Sequence, residues 1–293
     1  MEIIRTLSWM KETARLARAE NHVIGFVPTM GALHEGHISL LHRAKSECSK
    51  VFASIFVNPA QFAANEDLSK YPRTFEFDVE KLESAGVDVL FAPDTKEIYP
   101  AGFTTYVTVE ELSDRLEGKS RPGHFRGVAT VVLKLFEIVQ PHFAFFGRKD
   151  AQQVRILQRM AHDLNLSLEI VVCPIVREAD GLALSSRNAY LNAEERRAAT
   201  ALHSALDAAQ HAIGGGTRDA LSLQNTVHEV LCREKLVRTD YVQIVAVDSF
   251  EPLARIGAQQ AYLLLAAFVG KTRLIDNLRI EPSQDSGDLL CFL

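Results

Sequence analysis

The sequence has no apolar run long enough to cross a bilayer. The longest, Ala261–Val269, falls far short of the ~20 residues that a spanning helix needs, so no membrane partner is expected. Its four cysteines, Cys48, Cys173, Cys232 and Cys291, are scattered singly; without a CxxC pair there is no cysteine zinc site and no sign of a disulfide framework. It also lacks an excess of positive charge, with 32 Lys and Arg against 37 Asp and Glu and a formal net charge of −5. Binding to a nucleic-acid backbone depends on clustered cations that release counterions, so no nucleic-acid partner is expected. The opening residues, Met1-Glu2-Ile3-Ile4-Arg5, do not form a basic region followed by an apolar stretch, and a cytoplasmic location is expected. No internal repeat or low-complexity segment is present.

What is there is ordinary globular composition: 293 residues, 47% hydrophobic and 24% charged, long enough to bury roughly three quarters of the unfolded surface. Short β-branched runs at Val23–Val27, Val51–Val57, Val87–Phe91, Phe143–Phe146 and Leu168–Cys173 are almost wholly apolar, as in strands covered on both faces. Helical spacing fills the intervals Ile38–Ser49, Phe75–Ala85, Val128–Val139 and Ala151–Leu164. This alternation predicts an α/β fold with a doubly wound parallel sheet over residues 1–177. After Pro174 the texture changes to a polar loop, an Ala-rich helix from about Ala193 to Ala212, a Gly214-Gly215-Gly216 break and a helix near Leu221–Leu231. Strands are expected at Tyr241–Val247, Ala261–Val269 and Arg273–Asp276. Residues 178–283 therefore read as a smaller α+β C-terminal lid domain, and 284–293 as a flexible tail.

The strongest local feature is Pro28-Thr29-Met30-Gly31-Ala32-Leu33-His34-Glu35-Gly36-His37, between the first strong strand and a helix, where a doubly wound fold puts its ligand. Gly31 and Gly36 let backbone approach a phosphate, and a helix N-terminus offers unpaired N–H groups and partial positive charge. His34 and His37, three apart, fall on one helical face and can both donate to a polyphosphate. The spacing differs from that of zinc-protease helices, which place histidines four apart, and no third ligand is evident.

The segment resembles the HxGH signature of the nucleotidyltransferases that include class I aminoacyl-tRNA synthetases. Together with Ser54–Phe62 (SIFVNPAQF), Tyr71–Thr74 (YPRT), Arg121–Val128 (RPGHFRGV), Phe145–Gln153 (FFGRKDAQQ) and Asp180–Asn188 (DGLALSSRN), the chain resembles the pantothenate synthetase family from about Ile3 to Asn277. The resemblance implies a Rossmann-like fold and condensation of pantoate with β-alanine through a pantoyl adenylate, with ATP as substrate and Mg²⁺ as cofactor. It implies a homodimer as well.

The resemblance assigns ATP to Met30–His37, to Gly147, Arg148, Lys149 and Asp150, to Val176 and Leu184 around adenine, and to Ser185, Ser186 and Arg187, counterparts of the KMSKS loop. Lys149, His34, His37 and the Ser185–Arg187 trio are its catalytic residues. Gln61 and Gln153 resemble the pair that grips pantoate, and Asn58, Tyr71, Glu117 and Arg121 other pocket positions. Asp78 resembles an acidic position near Mg²⁺, but its neighbour Phe77 cannot coordinate a metal, so the metal ligands stay unassigned and the ATP phosphates with water are expected to hold most of the ion. Arg148 departs from the family's usual Glu. Another adenylyltransferase on this fold, or a non-catalytic nucleotide-binding protein, are the alternatives. The first needs a mononucleotide pocket in place of Gln61 and Gln153, and the second would have lost part of the motif set.

Overall fold

The computed structural model describes residues 1–63, 66–282 and 289–293. The chain divides into two compact units, Met1–Arg148 with Gln152–Pro174, and Lys149–Ala151 with Ile175–Leu293.

The first unit is built on six strands: β1 (Glu2–Ile4), β2 (Ile24–Thr29), β3 (Lys50–Ile55), β4 (Val89–Phe91), β5 (Phe143–Gly147) and β6 (Glu169–Cys173). All neighbours pair in parallel, in the order β1-β4-β3-β2-β5-β6. Connections run through α1 (Leu7–Ala19), α2 (Glu35–Glu47), α3 (Phe75–Ser84), the one-turn helices α4 (Thr95–Ile98) and α5 (Glu117–Ser120), α6 (His124–Val139) and α7 (Ala151–Asp163). Successive side chains on a strand point to opposite faces, and the core divides accordingly. Phe26, Phe52 and Phe146 pack with Met10 of α1 and Leu135 of α6; Val27, Ala53 and Phe145 pack with Leu41 of α2 and Leu82 of α3. The sheet is thus sandwiched, which is why its strands read as apolar runs.

From β2 the chain steps outward through β3 and β4 and returns to the other side of β2 as β5. The winding reverses between β2 and β5, and a doubly wound sheet opens a crevice at the carboxyl ends of such a pair.

The second unit carries an antiparallel sheet of β7 (Val237–Ala246), β8 (Ala261–Val269), β9 (Thr272–Pro282) and β10 (Leu289–Phe292) in the order β10-β9-β8-β7. Helices α8 (Ala193–Ala199), α9 (Ala201–Gly214) and α10 (Ala220–Leu231) bury Leu202, Leu206, Leu223 and Val227 with Ile244, Leu263, Leu265 and Leu278 of the sheet. The α/β class with a smaller α+β unit is as the sequence leads one to expect.

Several boundaries differ. β1 and α1 escape the sequence pattern because β1 has three residues and α1 buries Met10, Ala14 and Ala17, a weakly hydrophobic stripe. α6 begins at His124 rather than Val128, because Gly123 at φ +82° starts the helix within the Arg121–Val128 motif. The single Ala-rich helix is two, parted at Thr200, whose hydroxyl donates to the Arg197 carbonyl at 2.7 Å. β9 continues to Pro282, beyond the expected Asp276. Of the expected tail, 284–288 lie outside the described residues, and Leu289–Phe292 pairs with Arg279–Pro282.

Candidate active site

In the first unit the segment after β2 makes a left-handed turn at Gly31 (φ +83°) and Ala32 (φ +52°) before entering α2. A Cβ on Gly31 would stand 3.0 Å from Asp78 Oδ2 and 3.2 Å from Ile55, so both the conformation and the space call for glycine. Contrary to the expectation of unpaired N–H groups, this backbone is already bonded. Gly31 N–H donates to Thr29 Oγ1 at 3.1 Å. Ala32 and Leu33 N–H donate to the two oxygens of Asp78 at 2.9 and 2.7 Å.

His34 stands outside α2, as its N-cap, rather than on a helical face beside His37. Its Nδ1 accepts from Gly36 N–H at 3.2 Å, while Nδ1 of His37 accepts from His34 N–H at 3.3 Å. This is a capping box made from two imidazoles. The rings lie 4.1 Å apart between centroids. Because both Nδ1 atoms accept, each ring in its neutral form carries its proton on Nε2. Glu35 and Gly36 form the first turn of α2.

Beside this loop in the first unit lies a buried polar chain. Gln61, 8% exposed, accepts from Asn58 Nδ2 at 3.0 Å through Oε1 and directs Nε2 at Met30 Sδ, 3.0 Å away. Asn58 receives the Tyr99 hydroxyl at 2.8 Å and donates to the Gly127 carbonyl at 3.1 Å. His124 Nδ1 lies 2.9 Å from the Gln61 carbonyl and its Nε2 3.0 Å from Arg121 Nη1, an arrangement in which Nδ1 donates and Nε2 accepts. Burial first, then the Arg121 charge, lowers its pKa to about 4, so this imidazole is neutral. Arg121 engages Glu66 through one edge of its guanidinium, Nε and Nη2 donating to the two carboxylate oxygens at 2.6 and 3.0 Å. Burial alone would raise the Glu66 carboxyl, but these bonds outweigh it and hold the pKa below the ordinary range. Glu117 and Tyr71 are also buried, the Tyr71 ring edge-on to Phe62. Gln153 is half-buried on α7, and its neighbour Gln152 is fully tied down, accepting from Glu117 N–H and donating to the Leu112 and Arg115 carbonyls. Gly147 and Arg148 close β5 at the reversal point, and a Cβ on Gly147 would meet nothing.

In the second unit, Leu184 N–H donates to the Val176 carbonyl at 3.0 Å, so these two positions sit across a hairpin. Just beyond its open end stands Ser185, whose Oγ accepts from Arg187 N–H at 3.3 Å and caps the short 3₁₀ turn Ser186–Tyr190. Lys149, Ser185, Asn188 and Asp276 line one small cavity. The Lys149 carbonyl is fixed by Asn277 Nδ2 at 3.0 Å, and its ammonium lies 3.8 Å from Asp150. Lys149 and Ser185, far apart in sequence, are thereby brought together.

The acidic position expected near Mg²⁺ does not fit a metal. Both oxygens of Asp78, 2% exposed, are spent on backbone amides, and Phe77 beside it is exposed hydrocarbon. Among the described residues no group of three or more His, Cys, Asp and Glu side chains is placed to hold an ion. Sequence reasoning missed Lys81, which donates to the Leu33 carbonyl at 2.5 Å, and Gln152 and His124. His124 sat in plain view within the Arg121–Val128 motif. Lys81 carries no signal beyond falling three residues after Asp78 on one helix.

The family model for pantoate-β-alanine ligase matches residues 2–279. The chain is 52% identical to the pantothenate synthetase of Pelotomaculum thermopropionicum over 277 residues, covering 94% of this chain and 98% of that protein. It is 57% identical to that of Acidobacterium capsulatum over 255 residues, 87% and 85% of the two chains. Among solved structures, the pantothenate synthetase of Thermus thermophilus superposes with a TM-score of 0.88 at 43% identity, covering 94% and 98% of the two chains. The pantoate-β-alanine ligase of Francisella tularensis, complexed with beta-gamma ATP and β-alanine, gives 0.77 at 37% identity, covering 94% and 97%. On these matches, spanning nearly the whole chain, the protein belongs to the pantoate-β-alanine ligase family.

Proposed function

We propose that the chain condenses pantoate with β-alanine in two steps at the expense of ATP. A pantoate carboxylate oxygen attacks the α-phosphorus, the bond to the β-phosphate breaks and pyrophosphate leaves; the β-alanine amine then attacks the acyl carbon, AMP departs and the nitrogen loses a proton. The observation that carries this reading is the imidazole capping box, which turns the Nε2–H groups of His34 and His37 into preorganised donors at the carboxyl end of β2. Such donors act where charge develops on phosphoryl oxygens.

In this reading Lys149 adds a cation at the transferring phosphate, and Ser185, Ser186 and Arg187 receive the departing pyrophosphate. The segment Met30–Leu33 forms the wall of the phosphate site through its shape, since the amides of Gly31, Ala32 and Leu33 are already bonded. Gly147, Arg148 and Asp150 border the ribose, with Val176 and Leu184 against adenine. Gln61 and Gln153 hold pantoate, whose hydroxyls and carboxylate suit amides that both donate and accept. Mg²⁺ accompanies ATP, neutralising phosphate charge, and is held by the phosphates and water. No general base is required for an amine that reaches its neutral form beside an activated anhydride, where proximity supplies ~7–11 kcal/mol. The resemblance extends the reading to a cytoplasmic homodimer, for which sedimentation would give twice the 32.5 kDa of one chain.

The test is exchange of labelled pyrophosphate into ATP. It is expected to require pantoate and not β-alanine; exchange that demands β-alanine would overturn a separate adenylation step, and none under any condition would turn the reading towards a nucleotide-binding protein without catalysis.

A further inference from the structure

The turn at Gly31 and Ala32 uses positive φ at two successive residues, one of them an alanine, which does not settle there unaided. Something must hold it. Consecutive amides in such a turn form a concave nest that attracts an anion, and here the anion is a side chain of the protein. Asp78 accepts from Ala32 and Leu33, and Thr74 Oγ1 donates to its Oδ2 at 3.2 Å, orienting the carboxylate. One helical turn on, Lys81 takes the other side of the same residue by donating to the Leu33 carbonyl. Helix α3 thus grips Leu33 by both its N–H and its C=O, immediately before the residue that caps α2.

We propose that Asp78 and Lys81 are positioning residues for adenylation: as a clamp of opposite charges they fix the turn and hence the direction in which His34 and His37 present Nε2–H. The carboxylate at Asp78 serves the backbone and not a metal ion. The inference rests on the reading of this loop as the phosphate site. A nest filled by a side chain does not bind phosphate itself; it stiffens the frame on which the imidazoles stand, and a frame off by an ångström loses the catalytic advantage of preorganised donors.

The experiment compares Asp78→Asn, Lys81→Met and Lys81→Arg in the full chain. It reads single-turnover adenylation, the KM of each substrate, the Mg²⁺ concentration for half-maximal rate, and amide hydrogen exchange at Ala32 and Leu33. Asp78→Asn is expected to slow adenylation tenfold or more, to leave the pantoate KM within twofold, to leave the Mg²⁺ requirement unchanged, and to accelerate exchange at Ala32 and Leu33 but not in β2. Lys81→Met should move the same quantities less, and Lys81→Arg, which keeps a donor, should restore them. A tenfold rise in the Mg²⁺ requirement of Asp78→Asn, with rate recovered at high Mg²⁺, would make it a metal ligand and overturn the proposal. Loosened amides with unchanged adenylation would overturn it as well. Should Asp78→Asn fail to fold, the exposed Lys81 decides by the same readouts. Absence of pantoate-dependent pyrophosphate exchange in the unaltered protein would instead strike the functional reading.

Discussion

Arg177 and Asp276 meet as a two-pronged ion pair inside the second unit, Nη1 to Oδ2 at 2.7 Å and Nη2 to Oδ1 at 2.9 Å, with the carboxylate 2% exposed. Arg177 also donates to the Gly181 carbonyl, and Asp276 accepts from its neighbour's N–H. The pair ties the foot of the hairpin that delivers Leu184 and Ser185 to β9.

Breaking a buried pair from one side strands a charge, which costs about 3–5 kcal/mol. Arg177→Met and Asp276→Leu should each lower the unfolding free energy on that scale in denaturant titrations, and the double variant should recover a large part of it. Single variants within ~0.5 kcal/mol of the parent, the range of a neutral surface change, would show the pair to be incidental.

The capping role of His34 and its proposed role as a donor can be separated by substitution. His34→Ala should lose about 1 kcal/mol of stability with the cap and slow adenylation by about 10² with the donor, while His37→Ala shows a similar kinetic loss. His34→Asn keeps a capping acceptor, so stability should return and the rate should not. Full activity in His34→Asn would remove the imidazole from the chemistry.

If Gln61 holds pantoate as proposed, Gln61→Ala leaves pantoate oxygens without partners at roughly 1–3 kcal/mol per group, so the pantoate KM should rise about 10- to 100-fold. ATP binding by calorimetry should barely change. Gly127→Ala tests the same pocket from behind, because a Cβ there would collide with the Ala60 carbonyl and the Gln61 backbone. It should produce the pantoate defect together with a lower melting temperature. Equal weakening of both substrates in Gln61→Ala would return this glutamine to a general packing role.

His124 makes stability depend on pH in a definite direction. Its folded pKa, about 4, lies below the ordinary 6.5, so between these values the unfolded chain binds a proton that the folded chain refuses. Stability is complete above pH 6.5, declines as pH falls towards 4, and levels off below, the loss being on the order of 3 kcal/mol for such a shift. The Glu66 carboxyl, held low by Arg121, loses its contribution only at lower pH, below the ordinary carboxylate range. Urea titrations at pH 7 and pH 4.5 should differ less in His124→Gln; an unchanged pH dependence in that variant would place the titrating group elsewhere.

Much of the fold was legible because buried parallel strands leave continuous apolar runs, and β2, β3 and β5 lie close to where those runs predict. α1 was not, since its core face is largely alanine, and the start of α6 was hidden under polar motif residues. At the candidate site the sequence supplied names for the motif residues but not the bonds to which they are committed. His34, Gly31 and Gln61 were visible as candidates, but the pairing of Ala32 and Leu33 with Asp78 joins residues more than forty positions apart, and nothing local in the sequence announces it.

The first strand of the chain is not the first to find its place. Among the described residues Glu2–Ile4 pairs with Val89–Phe91 alone, so its strand hydrogen bonds must wait until the chain through Phe91 has been made and β4 has docked on β3. Closing so long a loop for three residue pairs is entropically late business. The amino-terminal strand is therefore expected to join after the β2-β3-β4 part of the sheet has assembled. Pulse-labelled exchange during refolding should find the Ile4 amide protected after those of Phe26 and Ala53, and simultaneous protection would show the edge strand to be part of the folding nucleus instead.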